Sequence, residues 1–234
     1  MGYLIELHCH SSETSSCSAV TGATLADIYK AKDYHAITVM DHYYRHFFHR
    51  LGEKTWREKV DIFLAGYRNA EKRGGEIGLR VFLGIELRFN DNSNDYLVFG
   101  LNEQILYDSP ELYNLGVKDF GEFARANGLL FIQAHPFRNG MVVVDHDHLD
   151  GIEIYNAHPW HNSRNYLAEL AYTEQRKKHK RPFVATVGSD CHELSHEGAV
   201  GITSDALPQD GFELAELLRG GKYEIYKAKA IAQK

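Results

Sequence analysis

Short apolar runs bracketed by polar residues recur along the chain, at intervals that suit strands alternating with helices. They fall at residues 3–7, 35–40, 79–85, 96–99, 129–134, 151–155 and 182–187. Runs of this length, rich in Val, Ile, Leu and aromatics, predict buried strands. Helical spacing predicts helices at residues 24–32, about 54–72, 117–126, 163–178 and 206–219. Thr21 or Thr24 can cap the first, and Gly74-Gly75 is expected to stop the second. Residues 43–50 and 90–95 read as loops. Seven strands, mostly separated by helices, predict a parallel α/β arrangement. No repeat, low-complexity tract or linker divides the sequence, so residues 1–234 are expected to form one domain.

Chemistry-bearing residues stand where these runs end. His8-Cys9-His10 closes the first, Asp41-His42 the second, Glu86 the third, His135 the fifth and Asp190-Cys191-His192 the seventh. Functional residues of parallel α/β folds collect at the C-terminal ends of strands, so the recurrence predicts a single site. Alternation along a strand puts His8 and His10 on one face and Cys9 on the other. Converging imidazoles and carboxylates suit Zn²⁺, Mn²⁺ or Fe²⁺. One ion takes three or four protein ligands; the set here is larger, so two or three divalent ions are expected. Such ions lower a water's pKa from about 15.7 toward about 7, and a pair about 3.5–4 Å apart clamps a phosphoryl group. Hydrolysis of a phosphate ester by a metal-bound hydroxide is the chemistry implied.

Composition narrows the setting. Hydrophobic residues at 44% and charged residues at 25% describe an ordinary core-forming chain, whereas 14 histidines in 234 residues exceed what a surface needs. A net charge of -6 argues against stable nucleic-acid binding. No apolar stretch of about 18 residues exists to span a membrane. The sequence enters its first strand without a leader pattern, and its three cysteines lack Cys-X-X-Cys spacing, so a cytoplasmic protein with reduced thiols is expected. Oligomeric state is left open.

The ordered motifs His8-Cys9-His10, Met40-Asp41-His42, Gly84-Ile85-Glu86, Ala134-His135-Pro136 and Gly188-Ser189-Asp190-Cys191-His192 resemble those of the PHP (polymerase and histidinol phosphatase) family. The resemblance runs from residue 3 to about residue 205. It implies a distorted seven-stranded (β/α)7 barrel, TIM-barrel-like, with a dinuclear or trinuclear hydrolase site. It further implies a first ion on His8, His10, Glu86 and Asp190. A second would share Glu86 and take His135, and a third would take His42 and His192. Two departures stand out. Where members carry an Asp or His after the first motif, this chain has Glu13, Ser15 and Cys17; Glu13, the only carboxylate, is preferred as a ligand. Where some members carry a His after the fourth strand, Asn102 stands here, leaving the second ion under-coordinated.

Other candidates follow from position. Asp41 is assigned to the catalytic apparatus as a carboxylate that orients His42 or a neighbour. Arg138 is placed on the substrate phosphate, and His158 on phosphate or leaving-group proton transfer. Arg45, His46 and Tyr43 are expected to line the mouth. Asp145-His146-Asp147-His148 reads as a solvated loop, and the basic run at residues 176–181 as a solvated helix end. Cys191 should face away from the metals. The leading expectation is a phosphoesterase acting on a small phosphorylated metabolite, histidinol phosphate being one candidate. Phosphotyrosine-protein hydrolysis, nuclease activity and a non-catalytic metal-binding module are the alternatives.

Overall fold

The computed structural model describes residues 2–142, 144–179, 181–196 and 200–228. The first half contains β1 (Tyr3–Cys9), α1 (Gly22–Lys30), β2 (Ala36–Val39), β3 (His42–Tyr43), α2 (Arg45–Arg50), α3 (Trp56–Phe63), α4 (Ala65–Ile77), β4 (Arg80–Leu83), β5 (Ile85–Arg88), β6 (Asp95–Phe99) and α5 (Glu103–Asp108). The second half adds α6 (Gly116–Ala126), β7 (Leu130–Gln133), β8 (Gly151–Asn156), α7 (Asn165–Lys178), β9 (Val184–Gly188), β10 (Val200–Ser204), α8 (Gly211–Gly220) and β11 (Glu224–Lys227). No helix among the described residues is long and apolar enough to cross a membrane.

The strands lie in two sheets, ordered β11-β10-β1-β2-β4 and β3-β5-β6-β7-β8-β9. Backbone hydrogen bonds join the sheets at two seams. At one, Gly84 donates to the Val39 carbonyl and Glu86 to that of Asp41. At the other, Asp190 donates to the His8 carbonyl and His10 to that of Cys191. Both seams therefore carry proposed ligands.

The expectation of a parallel arrangement is corrected in part. Pairs β1–β2, β2–β4, β3–β5, β7–β8 and β8–β9 are parallel. Pairs β5–β6, β6–β7, β1–β10 and β10–β11 are antiparallel. The turn after β5 is too short for the crossover a parallel neighbour needs, so β6 must run back along β5.

Local chemistry explains the remaining differences. The long helix expected at 54–72 is two helices: a Thr55/Glu58 capping box starts α3, and the chain turns at Leu64 into α4. Gly74 and Gly75 stay helical; the stop comes at Gly78, whose left-handed φ of 70° suits a residue without a side chain. The segment read as a loop at 43–50 holds α2, because Phe47 and Phe48 bury themselves in the largest apolar cluster. Of the β1 residues, Ile5 and Leu7 join the second apolar cluster and Cys9 the third. Residues 145–148, expected as a solvated loop, form a single 3-10 turn with His146 buried. Lys180 of the basic run lies outside the described residues.

Candidate metal centre

β1 delivers His8 and His10 to one face, both fully buried, while Cys9 packs in the core beside Cys191. His8 Nδ1 is 2.8 Å from Glu153 Oε1 on β8, which assigns the ring proton to Nδ1 and leaves Nε2 facing inward. That Nε2 is 3.1 Å from His10 Nε2, 3.6 Å from Asp190 Oδ1 and 3.5 Å from Glu86 Oε1. His10 Nε2 in turn is 3.2 Å from Asp190 Oδ1 and 3.5 Å from Glu86 Oε2. Ring nitrogens and carboxylate oxygens thus converge on one point.

Glu86 sits at the middle of the cluster. His135 Nε2 lies 3.1 Å from its Oε1, and His42 Nδ1 lies 2.6 Å from its Oε2. That second oxygen is buried and receives no hydrogen bond, and His135 Nδ1 is also buried without one. Burial works to raise the Glu86 carboxyl, but His42 and His8, with the His135 hydrogen bond, hold it well below the usual carboxylate range. Asp190 behaves alike: burial opposes ionisation, and His8, His10 and Arg138 overcome it. Burial together with the charges of His192 and His42 pushes His10 well below its ordinary value, keeping it a neutral donor. At His8 burial is outweighed by Glu153, Asp190 and Glu86, which raise the imidazole well above its ordinary value. A proton there competes with a metal for the same carboxylates.

The potential ligand atoms fall into three groups: His8, His10 and Asp190; His10, His42 and His192; and Glu86, Asp95 and His135. The first two groups share His10, and Glu86 of the third stands 2.6–3.5 Å from His42, His8 and His10. Donor types, unpartnered buried atoms and spacing all fit divalent cations. A cavity of about 260 Å³ opens onto the cluster, lined by His42, Glu86, Asp95, His135, Asp190 and His192 among others. Larger depressions, of about 560 and 540 Å³, share no residue with these groups.

The surrounding residues fix the candidate ligands. Glu153 Oε2 accepts from the His135 backbone N–H at 2.9 Å and from Asn156 Nδ2 at 3.0 Å, so one carboxylate ties two ligand positions. Gly188 makes this possible, since a Cβ there would stand 2.2 Å from His8 Cβ. His135 and Asp190 both have positive φ, 26° and 52°. Non-glycine residues rarely adopt that backbone, and here it falls on two ligand positions. Sequence reasoning missed Glu153 and Asn156. A lone Glu inside an apolar run was their only signal.

Several sequence-derived placements change. Asp41 accepts from Ser11 N at 2.7 Å, Ser11 Oγ at 2.5 Å and Ser15 Oγ at 2.7 Å. Ser15 Oγ then accepts from the His42 backbone N–H at 3.1 Å, so Asp41 acts on the ligand loop through Ser15. Burial raises Asp41 to about 6 against these hydrogen bonds. Glu13 does not join the cluster: its carboxylate accepts from Gly22 N at the start of α1 and from Asn69 Nδ2. Cys17 lines the central cavity with His42 and His192. Burial works to raise its thiol, but hydrogen bonds with His192 and His42 bring it down to about 6.

Asn102 is also in the wrong place, because β6 runs antiparallel and its end lies far from the site. Asn102 caps α5, accepting from Ile105 N at 3.0 Å. The start of β6 faces the centre and supplies Asp95, which also holds Arg88 through two hydrogen bonds of 2.6 and 2.7 Å. Tyr43 is turned away into the aromatic core with Phe48 and Phe63, as alternation after His42 requires. Arg45 and His46 line an adjoining depression that shares Arg88 with the central cavity. Arg138 lines the central cavity and donates through Nη2 to Asp190 Oδ2 at 2.7 Å and Asn156 Oδ1 at 2.8 Å. His158 lines it too, its ring centroid 5.3 Å from that of His192; burial, with His192, Arg138 and His161, outweighs Asp190 and brings it down to about 4.

No protein-family model and no curated protein matches the chain. Solved structures do. A two-domain protein from Bacteroides vulgatus, containing a predicted PHP-like metal-dependent phosphoesterase, matches with a TM-score of 0.62 at 13% identity over 97% of this chain. The chain spans 65% of that protein's length. A protein from Bifidobacterium adolescentis provisionally assigned as a metal-dependent phosphoesterase gives 0.53 at 15% identity, over 92% of this chain and 96% of its own. An amidohydrolase from Chromobacterium violaceum, with bound sulfate and no metal, gives 0.56 at 14% identity, over 97% and 99%. The chain therefore has the fold of proteins described as PHP-like metal-dependent phosphoesterases, in agreement with its motif resemblance to that family.

Proposed function

We propose that the protein is a PHP-type phosphoesterase that hydrolyses the phosphate ester of a small metabolite at a centre of two or three divalent ions. Its two bridged sheets then correspond to the distorted seven-stranded barrel, folded as one domain. The observation that carries this reading is that His8 Nε2 and His10 Nε2 stand 3.1 Å apart and each lies 3.2–3.6 Å from Asp190 Oδ1 and from a Glu86 carboxylate oxygen. When bound, divalent ions would lower the pKa of a water toward about 7 and neutralise charge on a phosphoryl group.

The chain's own residues divide the remaining work. His8, His10 and Asp190 would hold the inner ion, with Glu86 as a further carboxylate beside it. His135 and Asp95 would serve a second position, and His42 and His192 a third. Arg138 turns a guanidinium edge to Asp190 while lining the cavity, so it both fixes that carboxylate and meets a substrate oxygen. His158, neutral at pH 7, accepts a hydrogen bond or proton; a cationic centre beside it disfavours the proton-donor role. Metal-loaded protein assayed against p-nitrophenyl phosphate, then a panel of phosphorylated metabolites including histidinol phosphate, tests the reading. Asp190→Ala and His10→Ala should each abolish turnover while the fold persists. Near-normal turnover in either variant would overturn the site.

A further inference from the structure

A second depression, of about 320 Å³, adjoins the central cavity and is lined by Tyr44, Arg45, His46, His49, Arg88 and Phe89 among others. None of the residues lining it carries a carboxylate, although the chain's net charge is -6. Arg45 donates through Nε to His49 Nε2 at 3.3 Å, and among the described residues it makes no ion pair. A hydrogen bond to an imidazole lone pair orients the guanidinium without neutralising it, and it leaves the Nη donors for another acceptor.

Arg88 connects the two spaces, because it lines both. Asp95 holds one edge of its guanidinium, through Nε at 2.6 Å and Nη2 at 2.7 Å, which leaves Nη1 for a further acceptor. A row of rings runs from the metal cluster to the depression. Tyr44 stands edge-on to His42, with centroids 6.4 Å apart, and stacks on His46 at 6.3 Å. A molecule whose phosphate lies at the candidate metal centre can therefore extend past Arg88 and meet Arg45.

We infer that this depression is a second anion subsite, and that the substrate is a phosphate ester carrying a further phosphate or carboxylate group, bound there by Arg45 and Arg88. This deepens the phosphoesterase reading above and rests on it. Arginine suits the role because its planar fork of donors matches an oxyanion, and the group held there is bound without reacting.

Alkane-α,ω-bisphosphonates of increasing chain length, titrated calorimetrically into the metal-loaded full-length protein, test this without turnover. The length that spans both sites should bind about tenfold or more tightly than the matching alkylphosphonate. Arg45→Ala should remove that advantage, and Arg45→Lys should restore part of it. Phosphonocarboxylic acids of the same lengths form the second arm; whichever arm gains affinity identifies the further group as phosphate or carboxylate. Alkanediol bisphosphates should likewise be hydrolysed with a lower Michaelis constant than the matching alkyl phosphates. Hydrolysis of the esters with no gain from a second anion at any length, or a gain unchanged in Arg45→Ala, would overturn the subsite alone. Failure to hydrolyse any ester would overturn the phosphoesterase reading and this substrate class with it.

Discussion

Replacing Glu153 by Gln should loosen the inner metal position without unfolding the chain. Glu153 is 1% exposed and uses both oxygens: Oε1 takes the His8 Nδ1 proton at 2.8 Å, and Oε2 takes the His135 N–H at 2.9 Å and Asn156 Nδ2 at 3.0 Å. Glutamine keeps the shape but offers one acceptor and one donor. If its oxygen stays with His135 and Asn156, its amide N–H₂ meets the His8 N–H donor to donor. Relief requires moving the His8 proton to Nε2, the atom that should bind metal. A hydrogen bond to a charged acceptor contributes about 1.5–3 kcal/mol. At about 1.4 kcal/mol per decade, that is a roughly 10–100-fold loss of affinity, the range typical when a ligand's supporting carboxylate is removed. Competition against a chromophoric chelator at pH 7 measures it, with circular dichroism as the control for fold. Activity lost by the variant should return in excess metal. An unchanged affinity in a folded variant would refute the role given to Glu153, and with it the assignment of His8 Nε2 as the inward donor.

Other perturbations separate the remaining roles. Glu6 is fully buried and accepts from Leu7 N, His8 N and Ser189 N; burial raises its carboxyl to about 7 despite the backbone and Ser189 hydrogen bonds. A carboxyl raised on folding is most stabilising below its unfolded value of 4.5, and that contribution is lost as pH rises toward about 7. Urea unfolding at pH 5 and pH 8 should show a loss of at most about 3 kcal/mol that Glu6→Gln lacks; identical pH slopes would refute it. Arg138→Ala should raise the Michaelis constant roughly tenfold and also weaken metal retention, since Arg138 touches Asp190 as well as the cavity. Unchanged kinetics and metal content would return Arg138 to a packing role. Asp95→Asn should remove about one metal equivalent by elemental analysis, judging from a ligand group of three. Asn102→His, at the far end of β6, should leave the metal count unchanged. The opposite pair of results would reverse the assignment of the second position.

The cluster of histidines and carboxylates was legible because strand periodicity and strand ends are local signals. His8 and His10 share a face for the reason any i, i+2 pair does, and Asp190 and Glu86 follow apolar runs that did become strands. Strand direction is not written locally, and that is where the reading failed. The family's motif after the fourth strand drew attention to Asn102, whereas β6 runs antiparallel and its start brings Asp95 to the cluster. Glu13 was preferred for its charge, but the N-terminus of α1, packed close by, claims that carboxylate first. Tyr43 was misplaced although alternation after His42 already pointed it inward. Strands β10 and β11 went unread because the first is short and the second is half-exposed and polar. Glu153 carried no motif; its role exists only once β8 lies beside β1.

The antiparallel run of β5, β6 and β7 has a kinetic consequence. These strands are neighbours in the chain as well as in the sheet, so Glu86 and Asp95 meet through a short turn. His8 and Asp190 come from opposite ends of the sequence and meet only when the segment after β9 docks on β1. Loop-closure entropy makes the second encounter costlier by about 2–3 kcal/mol. Contacts between near neighbours also tend to form before distant ones. The second group, Glu86, Asp95 and His135, is therefore favoured to come together first, and the two groups that need Asp190 or His192 come together later. A nascent chain ending before residue 190 can already bring Glu86 and Asp95 together, but lacks the carboxylate that completes the inner site. Firm retention of an ion there is then a signature of the finished fold, acquired when the two ends of the chain close on each other.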